Sequence, residues 1–463
     1  MAEPAAPVAT GTPWTFEGYH RVPHPMRLEP AARRLRILFL YSRPPLPMTR
    51  GDELTVAHLL EFLAARGHTV DFLSVIGEGQ QLRPEHRAWL EARCRKARFV
   101  EQGRFAAFWH GILGFLRGWP FQIGYLYVPD QLEAACRAAT EDSYDLVYAY
   151  YIRSAEALRR VAGLVPTRFL ALQLSQTLNT QRLAASAASL WERWFYRLES
   201  RRMAAYEARI WQIADRTVLI GRKDLETIED CCRQHGQPAI DNVVFGPHGV
   251  DTERFAPCAE TEEADLVVMS GVMRYAPNVE AALWFLTQIW PRIREARPAA
   301  RFCLVGRDPA PALVAHDGRH GVTVTGTVEE PAHWLARATV CVVPIRAAAG
   351  LQNKLLEALA MQKAVVATTA ANEGIQARPN RDLVIADTAE SFARTVLALL
   401  DEPQRRQALG ASGRRFVEDR WTWEGPFLAL EESFFKAERP LATAPARAGV
   451  DRVPPGSVPG SSS

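Results

Sequence analysis

The chain has 463 residues, of which 48% are hydrophobic and 23% charged. At roughly 150 residues per domain this is a globular composition with core enough for two or three domains. Its 55 Lys and Arg nearly balance 52 Asp and Glu, a net charge of +3, so no global basic field exists to drive nucleic-acid binding. Seven cysteines without a C-x-x-C spacing fit a reducing compartment better than a disulfide or zinc framework. No apolar run approaches the ~20 residues of a membrane helix, and the opening MAEPAAPVATGTP lacks the basic start and apolar core of a secretory signal. The expectation is a cytoplasmic protein.

In chain order, residues 1–33 are rich in Pro and Ala and read as a disordered arm. RILFLY, from Arg36, is short, continuous and apolar, as a buried strand should be. A loop with Pro44, Pro45 and Pro47 leads to Gly51, a helix over LTVAHLLEFLAAR closed by Gly67, and a second strand, HTVDFLSVI. This is a βαβ unit. Further first-half strands are expected at 145–151, 167–174, 216–221 and 242–247, and the stretch 182–213 reads as helical throughout. The second half repeats the scheme, with strands at 265–271, 300–306, 322–326, 339–345, 364–368 and 382–386. Helices are expected at 278–290, 351–361, 388–400, 403–419 and 424–437. Such alternation predicts an α/β protein of two doubly wound, Rossmann-like parallel-sheet domains facing a cleft. Ligands in such folds sit beyond the carboxyl ends of the strands.

One such loop stands out. In PIRAAAGLQNKLLEALAMQKAVVATTAANEGI, from Pro344, a strand runs through Arg346 into a small-residue loop ending at Gly350, and a helix opens near Leu351. The first helical turn offers free N–H groups and partial positive charge to a diphosphate. Lys354 and Glu357, three apart, share a helix face. The lysine suits phosphate as a point charge and the carboxylate suits two sugar hydroxyls. A solvated Lys–Glu pair on an ordinary helix is the plainer reading of the pair alone.

Here the chain resembles GT-B-fold glycosyltransferases of family 4, in the pattern of bacterial sugar transferases associated with exopolysaccharide loci. The resemblance runs from about Arg36 to Phe435. Four stretches carry it in order: the opening strand, loop and helix; FGPHGVDTERFAP, like a hinge motif; SGVMRYAPNVEAALWF, like the start of a second domain; and GLQNKLLEALAMQKAVVATTAANEGI, like a donor-binding helix. It implies an acceptor domain at 34–256, a nucleotide-sugar domain at 257–420, a helix at 421–438 packing back on the first domain, and a disordered tail at 439–463. It also implies that Glu357 holds the ribose of the donor as the second Glu of a two-glutamate motif, whose first Glu is here Ala349. Contacts to the donor sugar would then pass to backbone or to Gln352 or Asn353. Gly51 would let the diphosphate approach the first domain. Gly306, Gly326 and Thr327 match loops that face the nucleotide base, with plain strand-to-helix turns as the rival reading.

The family's Arg and Lys beneath the leaving diphosphate fall at Val272 and Asn278. Arg274 and Lys354 are the expected catalytic substitutes, with Arg346 beside the other donor-binding candidates Gly51, Gly306, Gly326, Thr327, Gly350, Leu351, Gln352 and Glu357. Their task is to neutralise the leaving group. His248 and His58 read as structural, and Tyr150, Tyr151 and Arg153 stand where related enzymes carry an acceptor-side His, which leaves the general base open. No D-x-D occurs, so no metal site is expected and the reaction reads as metal-independent, with no cofactor beyond the nucleotide diphosphate sugar as co-substrate.

The stretches 105–127 and 190–211 mix Arg with Trp, Phe and Tyr. They suit a membrane surface or a lipid-linked acceptor, and equally core-facing helices with charged backs. The reading is a retaining glycosyltransferase acting on a saccharide or lipid-linked acceptor in polysaccharide or glycoconjugate synthesis. A GT-B sugar-nucleotide epimerase, a non-catalytic nucleotide-sugar-binding module and a scaffold are its rivals.

Overall fold

The computed structural model describes residues 22–23, 25–48, 50–186, 189–246, 248–258, 262–346 and 351–437. Its first sheet comprises β1 (Arg36–Leu40), β2 (Thr69–Gly77), β3 (Lys96–Gln102), β4 (Leu146–Tyr150), β5 (Thr167–Gln173), β6 (Arg216–Leu219) and β7 (Val243–Phe245). Their order is β3-β2-β1-β4-β5-β6-β7, and every described pair is parallel. The second sheet comprises β8 (Leu266–Ser270), β9 (Arg301–Val305), β10 (Val322–Val324), β11 (Val340–Val343), β12 (Val365–Ala367) and β13 (Val384–Ile385). Its order is β10-β9-β8-β11-β12-β13, again parallel. Central strands are apolar without alternation because helices bury both faces. Each sheet reverses its strand order once, between β1 and β4 and between β8 and β11. Crevices open at such switch points, and the two crevices face each other.

Four sequence expectations need correction. β3, KARFVEQ, was not anticipated: it is an edge strand of half-buried, partly charged residues and carries no apolar run. The 182–213 stretch is not one helix. A helix Gln176–Ser186 ends, and Ser189 starts another, Leu190–Ile210, through a capping box with Glu192. A 3-10 turn, Trp211–Ile213, follows. The helix expected at 278–290 runs Ala276–Trp284, opens into a π turn, Phe285–Ile289, and resumes as Trp290–Ala296. Pro291 in its first turn cannot donate the hydrogen bond a continuous helix needs there. The arm at 1–33 is packed at its end: Met26 N–H donates to Glu61 Oε1 (3.2 Å), Ala31 N–H to the Arg66 carbonyl (2.9 Å), and Met26 and Leu28 lie on the first-domain core. Residues 1–21 and the tail at 439–463 lie outside the described residues.

The chain crosses between domains twice. The outward crossing passes Gly249 and Val250, and the return passes Trp421. They run side by side, with Val250 N–H donating to the Trp421 carbonyl (2.8 Å). A Cβ on Gly249 would stand 2.9 Å from the Trp423 nitrogen, so only glycine fits. The last helix, Glu424–Ala437, packs on the first domain through Phe427, Leu430 and Phe434. Phe434 meets Phe169 edge-on at 4.9 Å and Phe427 meets Phe62 at 5.3 Å. Glu431 locks it there: Arg66 donates to its carboxylate through Nε (2.9 Å) and Nη2 (2.7 Å), and His68 through Nε2 (2.7 Å). His68 Nδ1 accepts from Leu35 N–H, which places its proton on Nε2. Among the described residues no helix is long and apolar enough to cross a membrane.

Candidate active site

The two crevices enclose one cavity of about 1450 Å³ between the domains. Its second-domain wall comes from the loops after β8 and β9 and from the helix Asn353–Ala360 that follows β11. Gly271 and Gly306 both have φ +149°, and a Cβ on Gly306 would stand 1.7 Å from the Gly271 carbonyl oxygen. Only glycine permits these loops to touch. They form the floor on which the donor-helix side chains lie.

Lys354 rests on that floor. Its Cε is 3.1 Å from the Cβ position of Gly271, and the Asn278 amide nitrogen is 2.9 Å from the same point. Lys354 Nζ donates to Gln352 Oε1 (2.8 Å). Burial in the cleft pulls the Lys354 amine down to about 8, against the attraction of Glu357. Burial likewise pushes the Glu357 carboxyl up, partly offset by Arg254 and Lys354. Among the described residues the Glu357 carboxylate carries no hydrogen bond, so its acceptor oxygens are available to a ligand. The Asn278 side chain donates to the Val272 carbonyl (2.9 Å), and its buried Oδ1 has no partner among the described residues.

Opposite stands the helix Gly51–Ala65, whose N-terminus opens on the cavity. The Gly51 Cβ position is 4.0 Å from Asn353 Nδ2, so the two helix starts nearly meet. Asn353 Oδ1 takes a 2.6 Å bond from His248 Nε2. Burial holds the His248 ring below its ordinary pKa, against that bond, so it is neutral. His58 lines the cavity and stacks on Trp423 at 4.6 Å, and Trp423 leans on His248 at 5.6 Å.

The rest of the first-domain wall combines charged side chains (Arg182, Arg222, Lys223, Asp224 and Glu226) with strained backbone. Tyr151, just past β4, sits at φ 72°, ψ 150°, a region that essentially only glycine occupies. Its hydroxyl accepts from Gln176 Nε2 (2.8 Å), and Arg153 lies 5.0 Å over its ring. Gln173, the last residue of β5, has φ 69° and is 2% exposed. Among the described residues neither polar atom of its side chain has a partner. The adjoining helix start at Gln176 is already occupied: buried Glu207 accepts from Ser175 Oγ (2.9 Å), Gln176 N–H (2.6 Å) and Thr177 N–H (3.1 Å).

The structure therefore brings Gly51, Arg274, Gly306, Thr327, Leu351, Gln352, Lys354 and Glu357 to one cavity. Arg274 reaches it while paired with Asp308 (3.4 Å). Arg346 is not brought there. Its guanidinium is held by Glu280 (Nε to Oε1 2.9 Å) and lies 5.1 Å over the Trp284 ring. Gly326 (φ 67°) turns the chain behind the wall that Thr327 lines. Gly350 lies outside the described residues. Sequence reasoning missed Gln173 as a site residue, and read His58, which lines the cavity, as structural. Gln173 was findable as a strand-final polar residue. Among the described residues no three His, Cys, Asp or Glu side chains cluster as metal ligands would.

Comparison with known proteins agrees with this architecture. Residues 264–402 match the family model described as glycosyl transferases group 1. A GDP-mannose-dependent phosphatidylinositol monomannoside mannosyltransferase of Corynebacterium glutamicum is 28% identical over 198 residues, 38% of this chain. The match spans about half (52%) of that enzyme's length. Sucrose-phosphate synthase of Thermosynechococcus elongatus superposes with a TM-score of 0.63 at 18% identity, over 87% of this chain and 98% of that one. Anabaena HepE, solved with UDP-glucose, gives 0.58 at 13% identity over 87% and 100%. The chain thus has the GT-B glycosyltransferase fold, and its second domain carries the match to group 1 glycosyl transferases.

Proposed function

We propose that the protein transfers a sugar from a nucleoside diphosphate sugar to an acceptor hydroxyl, with retention of anomeric configuration and without a divalent metal. The observation that carries this is the Lys354–Glu357 pair on the helix that opens into the interdomain cavity. Glu357, free of hydrogen bonds among the described residues, is suited to the ribose hydroxyls. Lys354 lies beside Asn278, the position where the family resemblance implies a lysine, and so supplies from another helix the cation that sequence position lacks. As the bond between the anomeric carbon and the diphosphate oxygen breaks, Lys354 and Arg274 take up the negative charge on the leaving group. The Gly51 helix start faces the same phosphates. The acceptor occupies the first-domain wall near Tyr151 and Gln173, and closure of the two crevices excludes water. The acceptor is a saccharide or a lipid-linked carrier, and the setting is cytoplasmic synthesis of a polysaccharide or glycoconjugate.

The test is a thermal-shift series with UDP, GDP, their sugars and other nucleoside diphosphates on the full chain, with and without EDTA. One base and its sugars should raise the melting temperature, because a ligand of the folded state must. The shift should persist in EDTA and shrink in Glu357→Ala. Binding without release of nucleoside diphosphate to any acceptor would leave a non-catalytic module, and no shift with any nucleotide would overturn the reading.

A further inference from the structure

The helix Arg104–Leu116 is built inside out. Its inward face is Ala107, Gly111 and Gly114, packed backbone-close on the short helix Phe121–Tyr125. A Cβ on Gly111 would stand 2.8 Å from the Phe121 ring, and one on Gly114 3.0 Å from Gly124 Cα. Its outward face is Phe105, Phe108, Trp109, Leu113 and Leu116, all exposed, Phe105 at 85%. The start of the Leu190–Ile210 helix adds Leu190 (82%), Trp191 (70%) and Trp194, the two indoles stacked at 4.9 Å. These eight are half of the sixteen large apolar side chains exposed among the described residues. The two stretches join where Phe195 packs on Phe115 and Phe121 (6.4 and 6.2 Å). Leu116 and Trp194 each adjoin that contact in sequence. An exposed apolar surface of this kind marks an interaction site.

Its charge selects the occupant. Arg104 and Arg117 stand exposed at the two ends of the Arg104 helix, and Arg197 and Arg201 stand exposed on the Leu190 helix. The acids of residues 189–202 are used internally. Glu192 closes its own helix cap, and Glu199 accepts the N–H groups of Phe121 (2.8 Å) and Gln122 (3.0 Å). We infer that this face seats on an anionic phospholipid surface, its aromatics in the acyl boundary and its arginines among the headgroups. The Gln176–Ser186 helix runs from this face to the cleft: Leu183 is exposed while its neighbour Arg182 lines the cavity. On the transfer reading proposed above, on which this last step alone rests, an acceptor anchored in the same surface enters the first-domain wall along that helix.

Flotation of the full chain with phosphatidylcholine vesicles, with and without phosphatidylglycerol, tests this directly. The protein should float only with the anionic vesicles, with a blue shift in tryptophan emission. Trp191→Ser with Trp194→Ser, and separately Phe105→Ser with Phe108→Ser, should lower the partition coefficient on the order of a hundredfold. Arg197→Gln should lower it about fivefold, and Leu428→Ser, exposed on the last helix, should leave it unchanged. No flotation, flotation that ignores lipid charge, or a wild-type oligomer that the tryptophan variants dissolve without any vesicle binding would each overturn the inference. The last would make the face a contact between copies. All these exposed-residue variants should keep the nucleotide-induced thermal shift, so loss of the donor reading would appear there and not in flotation.

Discussion

The two walls of the cleft solve different problems. The second-domain wall gathers charge at a helix start, with Lys354 and Glu357 over a floor that only Gly271 and Gly306 can form. The first-domain wall sets the hydroxyl of Tyr151 and the amide of Gln173 on strained backbone, flanked by Arg182, Arg222, Lys223, Asp224 and Glu226, and the helix start at Gln176 is already filled by Glu207. On the transfer reading proposed above, the first arrangement suits the donor diphosphate and the Tyr151–Gln173 corner suits an acceptor hydroxyl. The walls also differ in support. The donor helix rests on its own sheet and on the helix Pro403–Arg420, where Gly413 lets Leu359 approach closely. The acceptor wall is braced by the chain's last helix, which arrives from the other domain.

Removing that brace should have the largest effect. Glu431 is buried and held by Arg66 and His68. Burial alone would raise its pKa, but those two partners hold it below the ordinary value. Glu431→Ala takes the shared carboxylate from buried His68 and from Arg66, which keeps only the Glu29 carbonyl among the described residues, and should cost about 2–3 kcal/mol, lowering the first-domain melting transition by roughly 5–10 °C. Calorimetry should show that transition separating from the second domain's, which keeps its nucleotide-induced shift. A single unshifted transition would mean that both walls share one support.

Next comes the donor wall itself. Lys354→Met should weaken nucleoside diphosphate binding by roughly ten- to hundredfold and slow transfer by roughly 10²–10³. The same change should stabilise the free protein by about 1 kcal/mol, because a desolvated cation is removed. Titration calorimetry and thermal melts on one preparation test both signs. Weaker binding without added stability would mean that the amine is better solvated than its position beside Gly271 implies.

The walls were unequally legible in the sequence. Lys354 and Glu357 follow an apolar strand and a small-residue loop, a pattern fixed by local chain geometry, and the glycine at 306 marks a close approach. Arg346 was misplaced because the carboxylate that captures it, Glu280, lies 66 residues away, and no local signal reveals a partner at that distance. Likewise Gln173 and Tyr151 act through backbone conformation, which a run of β-forming residues does not disclose. β3 escaped because an edge strand need not be apolar. The exposed stripe on the Arg104 helix could be seen as aromatic, but which way it faced depended on glycines at its back.

A smaller effect should come from the acceptor wall. Gln173→Met is nearly isosteric and removes a buried amide with no partner among the described residues. It should stabilise the protein by about 1–2 kcal/mol and leave nucleotide binding unchanged. Transfer to acceptor should fall about tenfold while hydrolysis of the donor continues, since only the acceptor loses a hydrogen bond. Loss of both activities together would place Gln173 in the donor site and erase the contrast between the walls.

The smallest effect is in pH, and it moves binding and stability in opposite directions. Lys354 in the free fold titrates near 8, below its ordinary 10.5, because the cleft desolvates it more than Glu357 attracts it. Only the protonated amine attracts a diphosphate, so affinity should fall about fourfold between about pH 7 and about 8.5. Across the window from about 8 to 10.5 the unfolded chain keeps a proton that the folded one has released. This group's contribution to stability therefore rises with pH there, and is least below 8, where the fold holds a desolvated charge. Lys354→Met should flatten both trends. At the acceptor corner burial pushes the Tyr150 and Tyr151 hydroxyls well above their ordinary range. Acceptor KM should then stay level over the interval in which donor affinity declines. A parallel decline in both would show that the two walls share one titrating group.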